Sequence, residues 1–156
     1  EALGRYDDAL RLDREVYASA VRLFGPTSPQ TLGLALGLVQ SLIDTENYAE
    51  ARTFIRERME ESRGLGDENM VNMKLRHGLA RAIFRDGDIT SRETLEEAEK
   101  ILADLIRTGR RVLGPAYPEV VEQEQELKLT REWIKAGPSA WVQESTARPG
   151  SSGSPS

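Results

Sequence analysis

The sequence predicts an all-α protein built from antiparallel helix pairs. Three observations carry that expectation. Leu, Ala, Arg and Glu dominate, aromatic residues reach only 6%, and Val, Ile and Thr are sparse. That balance suits helix better than pleated sheet. A short motif also recurs: Arg5-Tyr6-Asp7-Asp8-Ala9 returns 42 residues later as Asn47-Tyr48-Ala49-Glu50-Ala51, and its Ala end returns again in Leu95-Glu96-Glu97-Ala98. A fixed period of that size marks a repeat array. Finally, Phe24-Gly25-Pro26, Leu65-Gly66-Asp67 and Leu113-Gly114-Pro115 punctuate the chain at Gly spacings of 41 and 48. Each glycine ends one helix, and a start signal follows at Ser28-Pro29, Asn69-Met70 and Tyr117-Pro118, where Ser or Asn suits the N-cap and Pro the first turn.

The elements follow in order. Residues 4–24 place Tyr6, Ala9, Leu10, Val16, Tyr17, Ala20 and Leu23 at mostly three- and four-residue steps, which predicts a helix with one apolar stripe. Over residues 30–44, Leu32, Leu34, Ala35, Leu36, Leu38, Val39, Leu42 and Ile43 surround the axis, so this helix is expected between others. Residues 47–63 are expected to bury Tyr48, Ala51, Ile55 and Met59. Residues 69–85 form the next helix. The longer Gly spacing carries an insertion near Asp86-Gly87-Asp88-Ile89-Thr90. Residues 92–113 show Leu95, Ala98, Leu102, Leu105, Ile106 and Leu113, and two overlapping capping boxes, Thr90 with Glu93 and Thr94 with Glu97, compete for the start. Residues 118–136 run from glutamates to Lys128, Arg131 and Lys135, in the order the helix dipole favours. The stripe Val120, Leu127, Ile134 is thin, as in a terminal cap with one wet face. Gly137-Pro138 stops that helix, and residues 137–156 form a Gly/Ser/Pro-rich flexible tail. Trp141 in the tail either packs on the last helix or serves as a docking motif.

Composition excludes several functions. The 156 residues hold 38% hydrophobic and 30% charged side chains, so the chain can bury a core, yet no apolar run nears the roughly 20 residues of a membrane span. Zero cysteines exclude disulfides and thiolate chemistry. A formal charge of −5, from 21 basic and 26 acidic residues, argues against nucleic acid. GxxxxGK[ST], GxGxxG, HExxH and GxSxG are all missing. The acidic pairs Glu60-Glu61 and Glu96-Glu97 read as solvated surface. No catalytic, cofactor or metal site is expected, and the chain reads as an interaction module. It starts at Glu1 without a signal-peptide pattern, which suggests a cytoplasmic piece of a longer chain.

With paired helices and alternating motifs in view, the chain resembles tetratricopeptide repeat arrays of the kinesin light chain type. Asn47-Tyr48-Ala49-Glu50-Ala51 resembles the family's turn between helices A and B. Phe24-Gly25-Pro26-Thr27-Ser28-Pro29-Gln30-Thr31-Leu32 and Val112-Leu113-Gly114-Pro115-Ala116-Tyr117-Pro118-Glu119-Val120 resemble its LGxxHPxT linker. The resemblance implies a right-handed superhelical solenoid with the A helices on its concave face, and binding of a protein or peptide there. On this template the chain divides into a partial repeat 1–25, full repeats 28–66 and 69–114, and a cap helix 118–136. The family's Asn-Asn-Leu-Ala stretch, whose asparagines clamp peptide backbones, is replaced by Leu36-Gly37-Leu38-Val39 and His77-Gly78-Leu79-Ala80, and the linker histidine is missing.

Seven residues are candidates for the peptide surface. Lys74, His77, Arg81 and Arg85 fall within an arc of about 80° at 100° per residue. This basic stripe is read either as a site for an acidic peptide, carboxylate or phosphate, or as charges pairing with Glu122, Glu126 and Glu132. His77, without Cys or a second His, lines the surface or packs, and holds no metal. Gly37, Gln40 and Asp44 occupy the corresponding face of the preceding repeat, with Gly33. The glycines there admit close helix packing or the approach of a ligand backbone. The other reading of the chain is a spacer or oligomerisation arm of a larger protein, with contact at an apolar edge near Tyr6 and Leu10.

Overall fold

The structure, a computed structural model, describes residues 2–87 and 91–137. Six α-helices are found among them, with no strand. They are α1 (Ala2–Phe24), α2 (Pro29–Asp44), α3 (Tyr48–Glu61), α4 (Met70–Arg85), α5 (Arg92–Val112) and α6 (Pro118–Ala136). A 3₁₀ turn, Arg63–Leu65, follows α3. Asp88, Ile89 and Thr90 of the insertion, and the tail residues 138–156 with Trp141, lie outside the described residues.

The glycine punctuation has a backbone cause. Gly25, Gly66 and Gly114 have φ of 85°, 89° and 98°, the left-handed region that side-chain-bearing residues avoid. The chain can therefore reverse there and start again. At α2 the Ser28 hydroxyl accepts the Thr31 N–H at 3.2 Å, with Pro29 in the first turn. The start of α5 differs from both expected capping boxes. Ser91 is its N-cap and accepts the Thr94 N–H at 3.4 Å. Serine competes equally well with threonine for that role, so spacing to a glutamate is a poor guide.

The chain divides into two compact units, Glu1–Gly78 and Leu79–Ser156, with the boundary inside α4. In the first unit α1 packs on α2, and α2 on α3. Leu10, Tyr17 and Ala20 are buried on α1, and so are Leu38, Val39, Leu42 and Ile43 on α2 and Tyr48, Ala51 and Ile55 on α3. Thr31, fully buried, donates its hydroxyl to the Ala20 carbonyl at 3.2 Å, which ties α2 to α1. Tyr17 meets Phe54 edge-on at 5.2 Å, and Arg58 lies over both rings while donating to the Tyr17 hydroxyl. Gly78 is required by packing: a Cβ there would stand 3.1 Å from Val39 Cγ1 and 3.4 Å from Ile55 Cδ1. The α1 stripe is only half used. Tyr6, Val16 and Leu23 are exposed, because the helix meets neighbours on one side. Likewise α2 is not enclosed all round: Gly33, Leu34, Gly37, Gln40 and Asp44 are exposed.

In the second unit α5 packs on α6. Ala80, Leu102, Ile106 and Leu127 form one cluster, with Ile101 and Ala103 against it. Phe84 stacks on Trp133 at 5.0 Å. Gly109 allows close approach, since a Cβ there would stand 2.8 Å from Val120 Cγ2. On α6 the buried positions include Val120, Gln123, Leu127, Thr130 and Ile134, at alternating three- and four-residue steps. The apolar members were legible in sequence, and the polar pair hid the completeness of the stripe. Arg110 donates to Glu124, and Arg131 to Glu99, across the same helix pair.

Candidate functional site

The candidate stripe lies on one helix, α4, as periodicity required. Its four side chains are not equally available. Lys74 is exposed, whereas Arg81 and Arg85 are half-buried. His77 is 4% exposed, so it packs rather than presents its ring to solvent. His77 and Arg81 each already have an interaction partner within the fold. The outward charge of the stripe is therefore concentrated at Lys74 and Arg85. Lys74 and His77 belong to the first unit and Arg81 and Arg85 to the second.

The α2 candidates lie together on an exposed face. Gly37 and Gly33 face open space, with no heavy atom within 4 Å of where a Cβ would stand. Among the described residues, close helix packing, one of the two explanations for these glycines, is found at neither. Gln40 donates from Nε2 to Asp44 Oδ1 at 2.7 Å, one helical turn on. This face is thus shallow and apolar at Gly33, Leu34 and Gly37, then polar at Gln40 and Asp44. Such a surface can accept a backbone at close range and hydrogen-bond it at one end.

One feature was not found from sequence, and a second was found only in part. In the first unit a cavity of about 380 Å³ is lined by Arg56, Arg63 and Arg76 with Glu60, Asp67 and Asn72. The buried Asn72 amide donates to the Ser62 and Gly66 carbonyls at 3.0 and 2.7 Å, and its Oδ1 accepts from the Ser62 hydroxyl. That network folds the α3–α4 connection back on itself and brings together arginines spread over 21 positions of sequence. Their spacing carries no helical period across the 3₁₀ turn, so only the fold reveals the cluster. The second feature is the apolar outer face of α1: Leu12, Val16 and Leu23 are 59%, 40% and 75% exposed. Leu10, by contrast, is buried at 4%, so of the expected edge only Tyr6 is exposed, and it lies roughly 80–120° round the helix from these three at 100° per residue.

Among the described residues no group of three or more His, Asp or Glu side chains is placed to hold a metal ion. No helix among them is long and apolar enough to cross a membrane.

Comparison with known proteins adds one positive finding. A tetratricopeptide repeat family model matches residues 1–30, which span α1 and the linker into α2. The match supports a tetratricopeptide repeat protein, and repeats of this kind generally mediate protein–protein interaction. No curated protein and no solved structure matches the chain.

Proposed function

We propose that this tetratricopeptide-repeat chain is a non-catalytic scaffold that receives a peptide segment of a partner protein. The family match at residues 1–30 carries the reading. The finer form of the proposal is a kinesin light chain-like, right-handed superhelical solenoid in the cytoplasm, with a partial repeat 1–25, full repeats 28–66 and 69–114, and a cap helix 118–136. The open face of α2 supports a ligand backbone approaching Gly33 and Gly37, with Gln40 and Asp44 as hydrogen-bonding groups. Along α4, Lys74 and Arg85 supply charge for an acidic segment; His77 and Arg81 share their stripe and are already engaged within the fold.

The test is affinity capture from a lysate, at low and at physiological salt, with three proteins: wild type, Lys74→Glu/Arg85→Glu, and Gly37→Leu. Arg81 is left alone because it is half-buried and partnered. The expected result is a partner held by wild type, weakened by salt, and lost by both variants while their melting transitions persist. Identical captures by all three would remove the assignment.

A second reading has its own observation. The exposed Leu12, Val16 and Leu23 on α1 suit an oligomerisation or spacer contact. Concentration-dependent association in sedimentation, abolished by Leu12→Glu/Leu23→Glu, would favour it.

A further inference from the structure

We propose that the arginine-lined cavity of the first unit binds an oxyanion group, a carboxylate or a phosphate, with Arg76 as its principal ligand. The site is separate from the peptide surface, since Arg76 lies about 160° round α4 from Lys74 at 100° per residue. The guanidinium of Arg76 is short of acceptors. The side chain is 17% exposed, and its Nη1 stands 3.7 Å from Asp67 Oδ1, too far for a hydrogen bond. Its Nε and Nη2 are buried without a hydrogen-bond partner. A guanidinium removed from water requires acceptors, and the wall around Arg76 does not provide them. Asn72 is committed through both ends of its amide to the α3–α4 turn. Glu60 is held by Arg63 at 2.5 Å. Asp67 is 90% exposed, so its hold on Arg76 is weak.

The geometry fits a two-oxygen anion. Nε and the neighbouring Nη present two N–H bonds along one edge, which matches the oxygens of a carboxylate or phosphate. With no hydrogen bond fixing that edge, turning it into the cavity breaks none. The about 380 Å³ of space is within the range of small-ligand pockets. Arg56, Arg63 and Arg76 against Glu60 and Asp67 leave the lining with one net positive charge, in a chain that is net negative. Asp67 stands near Nη1, so the Nε–Nη2 edge is left to the entering anion.

The test follows the arginine Nε–H signals of the whole chain by NMR during titration with inorganic phosphate and, separately, with succinate, at ionic strength held constant with chloride. The expected result is saturable movement of the Arg76 signal with at least one probe. Phosphate alone would name a phosphoryl group, and succinate alone a carboxylate. Arg76→Gln removes the saturable response of the neighbouring Arg63 signal. Asp67→Asn, on an exposed side chain, removes the internal competitor and tightens binding about two- to fivefold. No saturable Arg76 movement with either probe would overturn the proposal, as would unchanged or weaker binding in Asp67→Asn. If Arg76→Gln does not fold, the Asp67→Asn measurement decides alone.

Discussion

Gly37 and Gly109 both sit in helix interiors, and they predict opposite outcomes on substitution. At Gly37 an added methyl meets nothing within 4 Å, so only the backbone term remains. Gly37→Ala is expected to raise unfolding free energy by about 0.5–1 kcal/mol, read by urea titration. At Gly109 the same methyl would stand 2.8 Å from Val120 Cγ2. Valine is stiff at χ1 in a helix, and Val120 is 1% exposed, so it has nowhere to turn. Gly109→Ala is expected to lose about 1 kcal/mol, the overpacking cost exceeding the gain in propensity. Equal effects of the two substitutions would show that the packing difference is not real. Sequence alone left Gly33 and Gly37 between packing and ligand approach, because periodicity assigns a face and not what stands opposite it. The same limit applied to His77, whose place on the stripe was legible but whose burial was not.

Helix ends were legible wherever glycine or proline marked them, because those residues act through the backbone itself. Gly25, Gly66 and Gly114 sit at φ of 85°, 89° and 98°, as helix stops should. Side-chain caps were harder to read, as the start of α5 at Ser91 demonstrates. The two serine caps also differ in weight. The Ser28 hydroxyl accepts the Thr31 N–H and meets the Thr31 hydroxyl at 2.8 Å, which in turn donates to the Ala20 carbonyl. Ser91 makes a 3.4 Å exposed bond. Ser28→Ala should therefore cost about 1–2 kcal/mol and Ser91→Ala about 0.5 kcal/mol or less, and thermal melts of the two variants would rank them. On α6 the buried stripe contains Gln123, whose Oε1 is buried without a hydrogen-bond partner. Gln123→Met keeps the length of the side chain and removes that acceptor. It should stabilise by about 1 kcal/mol, and a destabilised variant would mean the amide has a partner after all.

At the scale of the molecule, three surfaces compete to be the point of contact: the proposed peptide surface, the arginine-lined cavity, and the outer face of α1. The arginine-lined cavity is of small-ligand size and has a test of its own. The first and third differ in chemistry. On the scaffold proposal, cations hold an acidic segment, with affinity that falls as salt rises. An exposed Leu12, Val16 and Leu23 stripe takes apolar surface, with little dependence on salt. Leu12→Glu/Leu23→Glu alters only exposed side chains, so its stability should stay within about 0.5 kcal/mol of wild type. The scaffold reading expects this variant to capture the same partner as wild type, at both salt concentrations, while Lys74→Glu/Arg85→Glu does not. Capture lost only in the leucine variant, and indifferent to salt, would place the contact on α1 and make the α2 face incidental.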